Sequence, residues 1–556
     1  MTRVEEHQSP AIRTHAERGA TASLIRRHPL LLSLLAGVLS AIGFAPINFW
    51  PATLAGLVLF LHLVRRARNM KQALLMGWLY GVGNFSVGLN WLAHAFSFQD
   101  AMPHWFGYGA VLLLASHMAV YSAITAGIAW RWGRGVAYVL LFASAWIFTE
   151  WLRATLLTGF AWNPLGVVTI STPAAFWAPL FGTYGLSGMI VLAAGSILLA
   201  VEHCFSRSAE ARVRAFAVFS AWLCTIAAAL CLPFAISLSG ALNGIKQSSS
   251  RPRVRVVQPN IPQQEKHDRA FSAVNFAKLA RLTRLGDSSA SLIFWPESAI
   301  PEYLDEQPQI RARLSRLIRP GNILITGGLA SVKDEAGSEI AARNSIFMID
   351  SRAHVLGRYD KAHLVPFGEY LPMRPMLSAI GLSRLVPGAL DFWPGRGPVT
   401  FNLPGIGRMG AQICYEIIFS GNIVDPAHRP DFIFNPSNDA WFGRWGPPQH
   451  LAQARLRAIE EGIPIIRSTE TGISAVIDAD GRILYSLPLN SAGFIDARLP
   501  TAHVPTPFAR FGNILPLGLA IFLASVAAVL RSRSQLGRSA IAEYHRLNSR
   551  ASGDRR

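Results

Sequence analysis

Eight runs of apolar residues, most of them close to the ~20 that a helix needs to cross a bilayer core, constrain this chain more than any other feature. They lie at Leu30–Trp50, Pro51–Leu63, Ala73–Phe96, Trp105–Trp130, Gly135–Phe160, Tyr184–Val201, Ala215–Leu238 and Gly512–Leu530. The second is short because Pro51 bounds it. Arg26 and Arg27 precede the first run and no small-residue cleavage site follows, so it reads as a retained span, not a removed signal peptide. Composition agrees: 15% of residues are charged, against ~25% in soluble proteins, and 51% are hydrophobic. A positive mean hydropathy of +0.30 excludes a disordered chain. Four cysteines in 556 residues, three of them (Cys204, Cys224, Cys231) in or beside apolar runs, exclude a disulfide scaffold.

Basic residues stay on the cytoplasmic side of a membrane, so counting them in alternate connections orients the runs. One set of connections comprises the N-terminal tail, the turn with Arg65, Arg66, Arg68 and Lys71, the pair Arg131/Arg134, the Arg207–Arg214 segment and the tail after Leu530; it holds 21 Lys/Arg. The opposite set, Ala95–His104 and Ala161–Thr183, holds none. Both termini are therefore expected in the cytoplasm and the segment from Ser239 to Phe511 outside. The expected organisation is a tail at 1–28, helices 1–7 within 29–239, an outer domain at 240–511, an eighth helix at 512–531 and a second tail at 532–556. The net charge of +19 divides accordingly: Ala241–Arg510 carries 30 Lys/Arg against 24 Asp/Glu, and the remaining excess flanks apolar helices. That is a topological signal, and nucleic-acid binding is not expected.

The outer segment reads as α/β. Short β-rich runs recur at Val254–Gln258, Leu292–Trp295, Ile323–Thr326, Ser345–Ile349, Met409–Cys414, Phe432–Asn435, Pro464–Ser468 and Ser474–Asp478. Amphipathic helical stretches, Ala270–Leu285 and His450–Gly462 among them, lie between some of these runs, as in a sheet covered by helices. Two stretches, His363–Pro398 and Ala440–Pro448, are rich in Pro, Gly and aromatics without periodicity, and read as loops that pack on a site or dip into lipid.

The outer segment contains one cysteine, Cys414, in Gly410-Ala-Gln-Ile-Cys-Tyr-Glu416 at the end of an apolar β-like run. A lone thiol is most often buried and structural. A strand-to-turn junction is also where a nucleophile faces a cleft and backbone N–H groups meet an oxyanion. A thiol nucleophile needs a base. Glu297, in Ile293-Phe-Trp-Pro-Glu-Ser298, sits at the end of another β run, where Pro296 stops the strand. It is either a solvated loop acid or, in apolar surroundings that raise its pKa, a base for the thiol. Lys361 follows a third β-like run and precedes the apolar Leu364–Phe367, which marks it for partial burial over the usual solvated lysine. The spacings of zinc hydrolases, P-loop enzymes and serine hydrolases are missing, and no metal or organic cofactor is expected. His267, His363 and His450 are scattered and read as structural or surface residues. Glu150 and Arg153, one helical turn apart inside a span, form either a local ion pair or part of a polar route or lipid contact.

The order Trp295-Pro-Glu297, Tyr359-Asp-Lys361 with Phe367-Gly-Glu369, and Cys414-Tyr-Glu416 resembles the Glu–Lys–Cys triad of the nitrilase (carbon–nitrogen hydrolase) superfamily. Val257-Gln-Pro-Asn-Ile-Pro-Gln263, Asn435–Gly443 and Arg457-Ala-Ile-Glu460, with helices on both sides, resemble its membrane-bound branch, the apolipoprotein N-acyltransferase family. The likeness covers the chain from about Leu30 to about Arg533. It implies a polytopic helical membrane protein carrying an αββα sandwich, in the bacterial inner membrane, with the catalytic domain periplasmic. It implies Glu297 as general base, Lys361 as transition-state stabiliser and Cys414 as nucleophile, with Glu369 a supporting carboxylate, Tyr415 and Glu416 shaping the pocket and Asn344 near the site. Two positions depart from the family's pattern: Lys266-His267 stands where Lys-Trp is usual, and Thr469-Glu-Thr-Gly472 where Thr-Asn-Thr-Gly is expected.

The implied reaction moves a fatty acyl chain from a phospholipid to the α-amino group of a diacylglyceryl-cysteine on an apolipoprotein, through a Cys414 thioester. A monomer is expected. A membrane-tethered amidase or nitrilase-type hydrolase is the alternative. A transporter or receptor is disfavoured by the scarcity of charge and of paired broken helices in the spans.

Overall fold

Glycine, proline and polar residues at the membrane surface decide where the first helices stop. In the computed structural model, which describes residues 27–98, 103–204, 251–266, 268–285, 290–379 and 391–553, six described helices of 13 or more residues precede the outer segment. They are α1 (Pro29–Ala41), α2 (Trp50–Arg65), α3 (Met70–Gly88), α4 (Phe106–Trp132), α5 (Val136–Thr155) and α6 (Ala178–Cys204). The Leu30–Trp50 run is not one helix: α1 ends at Ala41, and the chain turns through Gly43 and Pro46 before Pro51 opens α2. Gly37 lets α1 and α3 approach to backbone contact, since a Cβ there would stand 2.0 Å from the Tyr80 carbonyl oxygen. Among the described residues, four helical segments are long and apolar enough to cross a bilayer: Phe106–Trp132, Val136–Thr155, Pro173–Cys204 and Ile514–Arg533; Pro29–Ala41 and Trp50–Arg65 are apolar but shorter. The expected span Ala215–Leu238 lies outside the described residues.

Among the described residues, twelve strands follow, in two six-stranded sheets. The first contains β1 (Arg253–Gln258), β2 (Leu292–Phe294), β3 (Ile323–Lys333), β4 (Glu339–Asp350), β5 (Val355–Asp360) and β12 (Gly493–Arg498), in the order β12-β1-β2-β3-β4-β5. The second contains β6 (Thr400–Leu403), β7 (Gly407–Ala411), β8 (Phe432–Ser437), β9 (Ile465–Thr469), β10 (Ala475–Ile477) and β11 (Ile483–Ser486), in the order β11-β10-β9-β8-β7-β6. Each sheet has three parallel strands at its centre, β1-β2-β3 and β7-β8-β9, and antiparallel strands outside them. Parallel centres must be covered on both faces, which is why their sequences read as unbroken apolar runs.

Alternation sorts the side chains. Val254, Val256, Leu292, Phe294, Ile323 and Ile325 join Phe432, Phe434, Ile466 and Val476 in the core between the sheets, where the Phe294 and Phe434 rings stand 4.7 Å apart. Val257, Ile293, Trp295 and Leu324 point the other way, against α7 (Ser272–Arg284) and α8 (Pro308–Ser315) through Leu279, Leu282 and Leu314. Full burial of one such side chain contributes about 1.5–3 kcal/mol, so a one-residue slip of β2 would forfeit several at once. The outer layer of the second sheet is α9 (Gly446–Glu461), every residue of which from Gln449 to Glu461 except Arg455 is buried. A surface helix shows one apolar face; α9 is covered all round because α6 lies against it from the membrane side. The inter-sheet core and the core of the helix bundle are therefore one cluster. A last helix, α10 (Ile514–Gly553), leads back through the apolar segment Ile514–Arg533.

Candidate active site

Three strand ends carry the site. β2 stops at Phe294, where Pro296 cannot donate to a ladder, and the chain turns at Ser298 with φ 50°. The turn packs on Gly327, where a Cβ would stand 2.3 Å from the Ser298 nitrogen, and it aims Glu297 inward. β5 ends at Asp360, and Lys361 donates its N–H to the Asn344 carbonyl at 2.8 Å. β7 ends at Ala411 and runs into a short 3-10 turn, Cys414–Ile418.

Cys414 opens that turn with φ 51°, a left-handed conformation costing a non-glycine residue about 1–3 kcal/mol, so the surroundings must hold it there. They do so from several sides. The Glu416 carboxylate accepts the N–H of Ile413 at 2.6 Å, of Ala362 at 2.7 Å and of His363 at 3.0 Å, and the Tyr359 hydroxyl at 2.8 Å. The Cys414 carbonyl oxygen lies 3.0 Å from His450 Nε2. That oxygen only accepts, so Nε2 carries the proton. His450 Nδ1 lies 2.9 Å from Asp439 Oδ1 and 3.0 Å from Arg467 Nη2, which donates to both oxygens of Asp439, at 2.8 and 2.7 Å. Burial and the neighbouring Arg467 hold the imidazole pKa below its ordinary value, so His450 is neutral and structural, as its scattered position implied, and buried.

Glu297, Lys361 and Cys414 meet in this space, all buried, with Cys414 5% exposed. Lys361 Nζ lies 3.0 Å from Glu369 Oε1 and 3.4 Å from Glu297 Oε1. Asn344 Nδ2 bridges the same two carboxylates at 2.9 and 2.7 Å. Glu369 Oε2 accepts the Val365 N–H at 2.8 Å, and Glu297 Oε2 accepts the Asn438 N–H at 2.7 Å. The Glu297 carboxylate lies near enough to the Cys414 thiol for its charge to act on it. Tyr415 turns away from the triad: its hydroxyl donates to the Gly159 carbonyl at 3.3 Å, in the segment between α5 and α6.

The expected direction of the Glu297 shift is overturned. Burial pushes its pKa up, but Lys361, a second lysine (Lys266) and the hydrogen bond from Asn344 outweigh burial and hold it below the ordinary carboxylate value. For Lys361, burial alone would lower the pKa; the carboxylates of Glu369 and Glu297 hold it above the usual lysine range. Burial and the Glu297 charge push the Cys414 thiol well up. The resting site is a neutral thiol beside a carboxylate and an ammonium: a base already charged and a nucleophile that needs it.

Other expectations fare unevenly. His363 packs its ring on Phe419 at 3.9 Å, with Nε2 3.0 Å from the Thr158 carbonyl; His267 lies outside the described residues. Glu150 and Arg153 are 3.8 Å apart, so the local pair exists, but it also binds the loop after α5: Arg153 donates to the Phe160 and Trp162 carbonyls, and Glu150 accepts the Leu165 N–H. Ala440–Pro448, expected as an irregular loop, is regular over most of its length. It forms a 3-10 turn and the start of α9, with Phe442 wedged against Trp91 and Trp162. In His363–Pro398 the described part exposes Phe367, Met373, Met376 and Trp393. Sequence reasoning missed Lys266 and Glu470 as neighbours of the base, and the Asp439–Arg467 pair behind the nucleophile; only the motif positions of Lys266 and Glu470 marked them. Among the described residues no group of three or more metal-ligating side chains converges.

The family model described as apolipoprotein N-acyltransferase N-terminal domain matches residues 36–196, and that of carbon-nitrogen hydrolase matches residues 253–505. The apolipoprotein N-acyltransferase of Bradyrhizobium diazoefficiens is 35% identical over 520 residues, which cover 90% of this chain and 94% of that protein. The chain belongs to the apolipoprotein N-acyltransferase family. A second member of that family, from Rhodopseudomonas palustris, is 32% identical over 519 residues, covering 90% of this chain and 95% of that one. Among solved structures, an amidase from Nesterenkonia sp. AN1 is similar at 16% identity and a TM-score of 0.32, over 49% of this chain and 94% of the amidase. Saccharomyces cerevisiae Nit3, of branch 10 of the nitrilase superfamily, is similar at 18% identity and a TM-score of 0.32, over 45% and 90%. This apolipoprotein N-acyltransferase family member is thus an enzyme of the carbon–nitrogen hydrolase superfamily with a nitrilase-like α/β fold. Its four long apolar helices and its relatives make it a bacterial membrane protein.

Proposed function

We propose that this enzyme transfers a fatty acyl group from a phospholipid to the α-amino group of the diacylglyceryl-cysteine at the N-terminus of an apolipoprotein, with Glu297 as base, Lys361 as oxyanion stabiliser and Cys414 as nucleophile. The observation that carries the reading is the buried meeting of Glu297, Lys361 and Cys414, in which Lys361 and Asn344 bind the Glu297 carboxylate at 3.4 and 2.7 Å and keep it charged. Glu297 takes the thiol proton as Sγ attacks the ester carbonyl; Lys361 and the N–H of Tyr415 stabilise the oxyanion. The ester C–O bond breaks, the proton passes to the leaving oxygen and lysophospholipid departs. The acceptor amine then attacks the thioester and gives a proton to Glu297, the C–S bond breaks, and the thiolate recovers its proton. Glu369 and Asn344 position Lys361 and Glu297, and Glu416 and Tyr415 hold the turn that carries Cys414.

The domain order follows the charge asymmetry: both termini cytoplasmic, 29–239 and 512–531 in the inner membrane, 240–511 in the periplasm, the protein acting as a monomer. Hydrolysis by water is the competing fate of the thioester. What favours transfer is the membrane-side loop packed directly under the nucleophile turn, where Trp162 and Asn163 donate to Gln449 of α9 at 2.8 and 3.1 Å, next to His450. A site built onto the bilayer suits two lipid-anchored substrates. The deciding experiment is intact mass of the full-length protein in lipid, incubated with phospholipid and no acceptor, against Cys414→Ser. A hydroxylamine-labile gain of one acyl mass, absent in the variant, supports the thioester; its transfer to a diacylglyceryl lipopeptide with little free fatty acid supports the acyltransferase. No adduct from any phospholipid would sink the reading.

A further inference from the structure

A second lysine is buried beside the proposed base, where no step of the reaction calls for one. Lys266 lies at the end of a short helical turn, Gln263–Lys266, that follows β1. Its ammonium donates to the main-chain carbonyl oxygen of Glu297 at 2.7 Å and stands 3.2 Å from Glu470 Oε1. Lys266 is 6% exposed and Glu470 1%, so water screens neither charge. Glu470 follows β9, in the second sheet, and its own carbonyl accepts the N–H of Asn260 at 2.9 Å, so the pair ties the end of β9 to the segment that carries Lys266. A buried ion pair adds little net stability, because desolvation offsets its attraction. Its place against the peptide of Glu297 asks for another role.

We infer that Lys266 and Glu470 act together as a positioning pair for Glu297: Lys266 clamps the turn and adds a second positive charge behind the carboxylate, and Glu470 cancels part of that charge so that the base keeps enough basicity to take the thiol proton. The inference rests on the reading of Glu297 as the base of Cys414. The groups facing the Glu297 carboxylate are Lys361 and Asn344 from the first sheet, the Cys414 thiol and the Asn438 N–H from the second, and Lys266 behind it; Glu369 lies beyond Lys361 and Glu470 beyond Lys266. Removing Lys266 or Glu470 therefore changes the field at Glu297 in opposite senses, and removing both changes it little.

The test is the pH dependence of Cys414 acylation, read as the rate of acyl-mass gain on full-length protein in vesicles of phosphatidylethanolamine and phosphatidylglycerol. Lys266→Met should move the acid limb up by about one pH unit or more, and Glu470→Gln should move it down and lower the plateau. The double variant Lys266→Met/Glu470→Gln should return the limb to between the two. Melting temperatures of all three report folding separately; should a single variant not fold, the double variant and the other single still place the limb. If the folded variants lose stability yet keep the limb of the parent protein, the pair is only structural and the inference falls. If Glu297→Gln itself leaves the acid limb intact, the reading of Glu297 as base falls instead.

Discussion

The shifts at Glu297 and Cys414 lead to a prediction that a thiolate–ammonium site would not share. Glu297 is held below the ordinary carboxylate pKa and Cys414 well above the ordinary thiol pKa, so between those limits one protonation state prevails: carboxylate with neutral thiol. Acylation of Cys414 should lose rate only as pH falls through the depressed Glu297 pKa, and stay flat from about pH 5 to pH 8. In Glu297→Gln the thiol must ionise unaided. Its acylation should be roughly 10²–10⁴-fold slower at pH 7 and rise about tenfold per pH unit. Stopped reactions read by intact mass would check both; a wild-type rate that climbs tenfold per unit across neutrality would mean that Glu297 is not the base. The sequence showed which residue types stood at strand ends, and that brought Glu297, Lys361 and Cys414 to notice. It could not show the sign of the Glu297 shift. That sign depends on Lys266, 31 positions away, and on Lys361, 64 positions away, both delivered by folding.

At the scale of elements, the turn Cys414–Ile418 holds a left-handed cysteine by means of one carboxylate. Glu416→Gln keeps an acceptor for Ala362, His363 and Tyr359 but sets an NH2 group against the Ile413 N–H. The buried donor left without a partner should cost about 1–3 kcal/mol and let Cys414 relax, so acylation should fall while the pH profile keeps its shape. A melting curve and the acylation rate together test this; an unchanged rate with a lower melting temperature would separate the turn from reactivity. The same reasoning applies one layer out. Gln449→Leu strips the acceptor from the buried Trp162 indole and removes one of the two bonds that Asn163 Nδ2 donates. Destabilisation of about 1–3 kcal/mol is expected, with slower acylation, because the helix that shifts carries His450 and with it the Cys414 carbonyl. Elements with clear periods were legible in the chain: β1, β2, β8, β9, α7 and α9 lie close to where alternation and helical spacing predict them. β6, β11 and β12 were not, and β5 showed only as the β-like run before Lys361. β11 is exposed at every position and β5 carries Gly357 amid charged residues, so their pairing comes from hydrogen bonds to a neighbour and not from an apolar pattern.

At the scale of the molecule, the two halves share one core, and this limits what can be cut apart. α9 has no solvent face. Glu460 on it accepts the N–H and hydroxyl of Thr183 of α6 at 2.5 and 2.6 Å and the Ser420 hydroxyl at 2.9 Å, while Arg457 Nε lies 2.7 Å from the same carboxylate and Nη1 donates to the Ile418 carbonyl at 3.0 Å. Removing the helices would leave that buried charged pair, Gln449 and the ring of Phe442, which packs on Trp91 and Trp162, open to water at once. The acid Glu460 would regain solvent, but the apolar area would drive self-association. Residues 251–505 expressed alone should therefore fail to give a monodisperse, cooperatively melting protein, although they contain every strand and the Glu297, Lys361 and Cys414 side chains. Size-exclusion chromatography with light scattering, and a melting curve, would decide. A stable monomer that still takes up an acyl group from a short-chain ester would mean that the helices only hold the site at the membrane, and that the packing of the 156–163 loop under Cys414 plays no part in its reactivity.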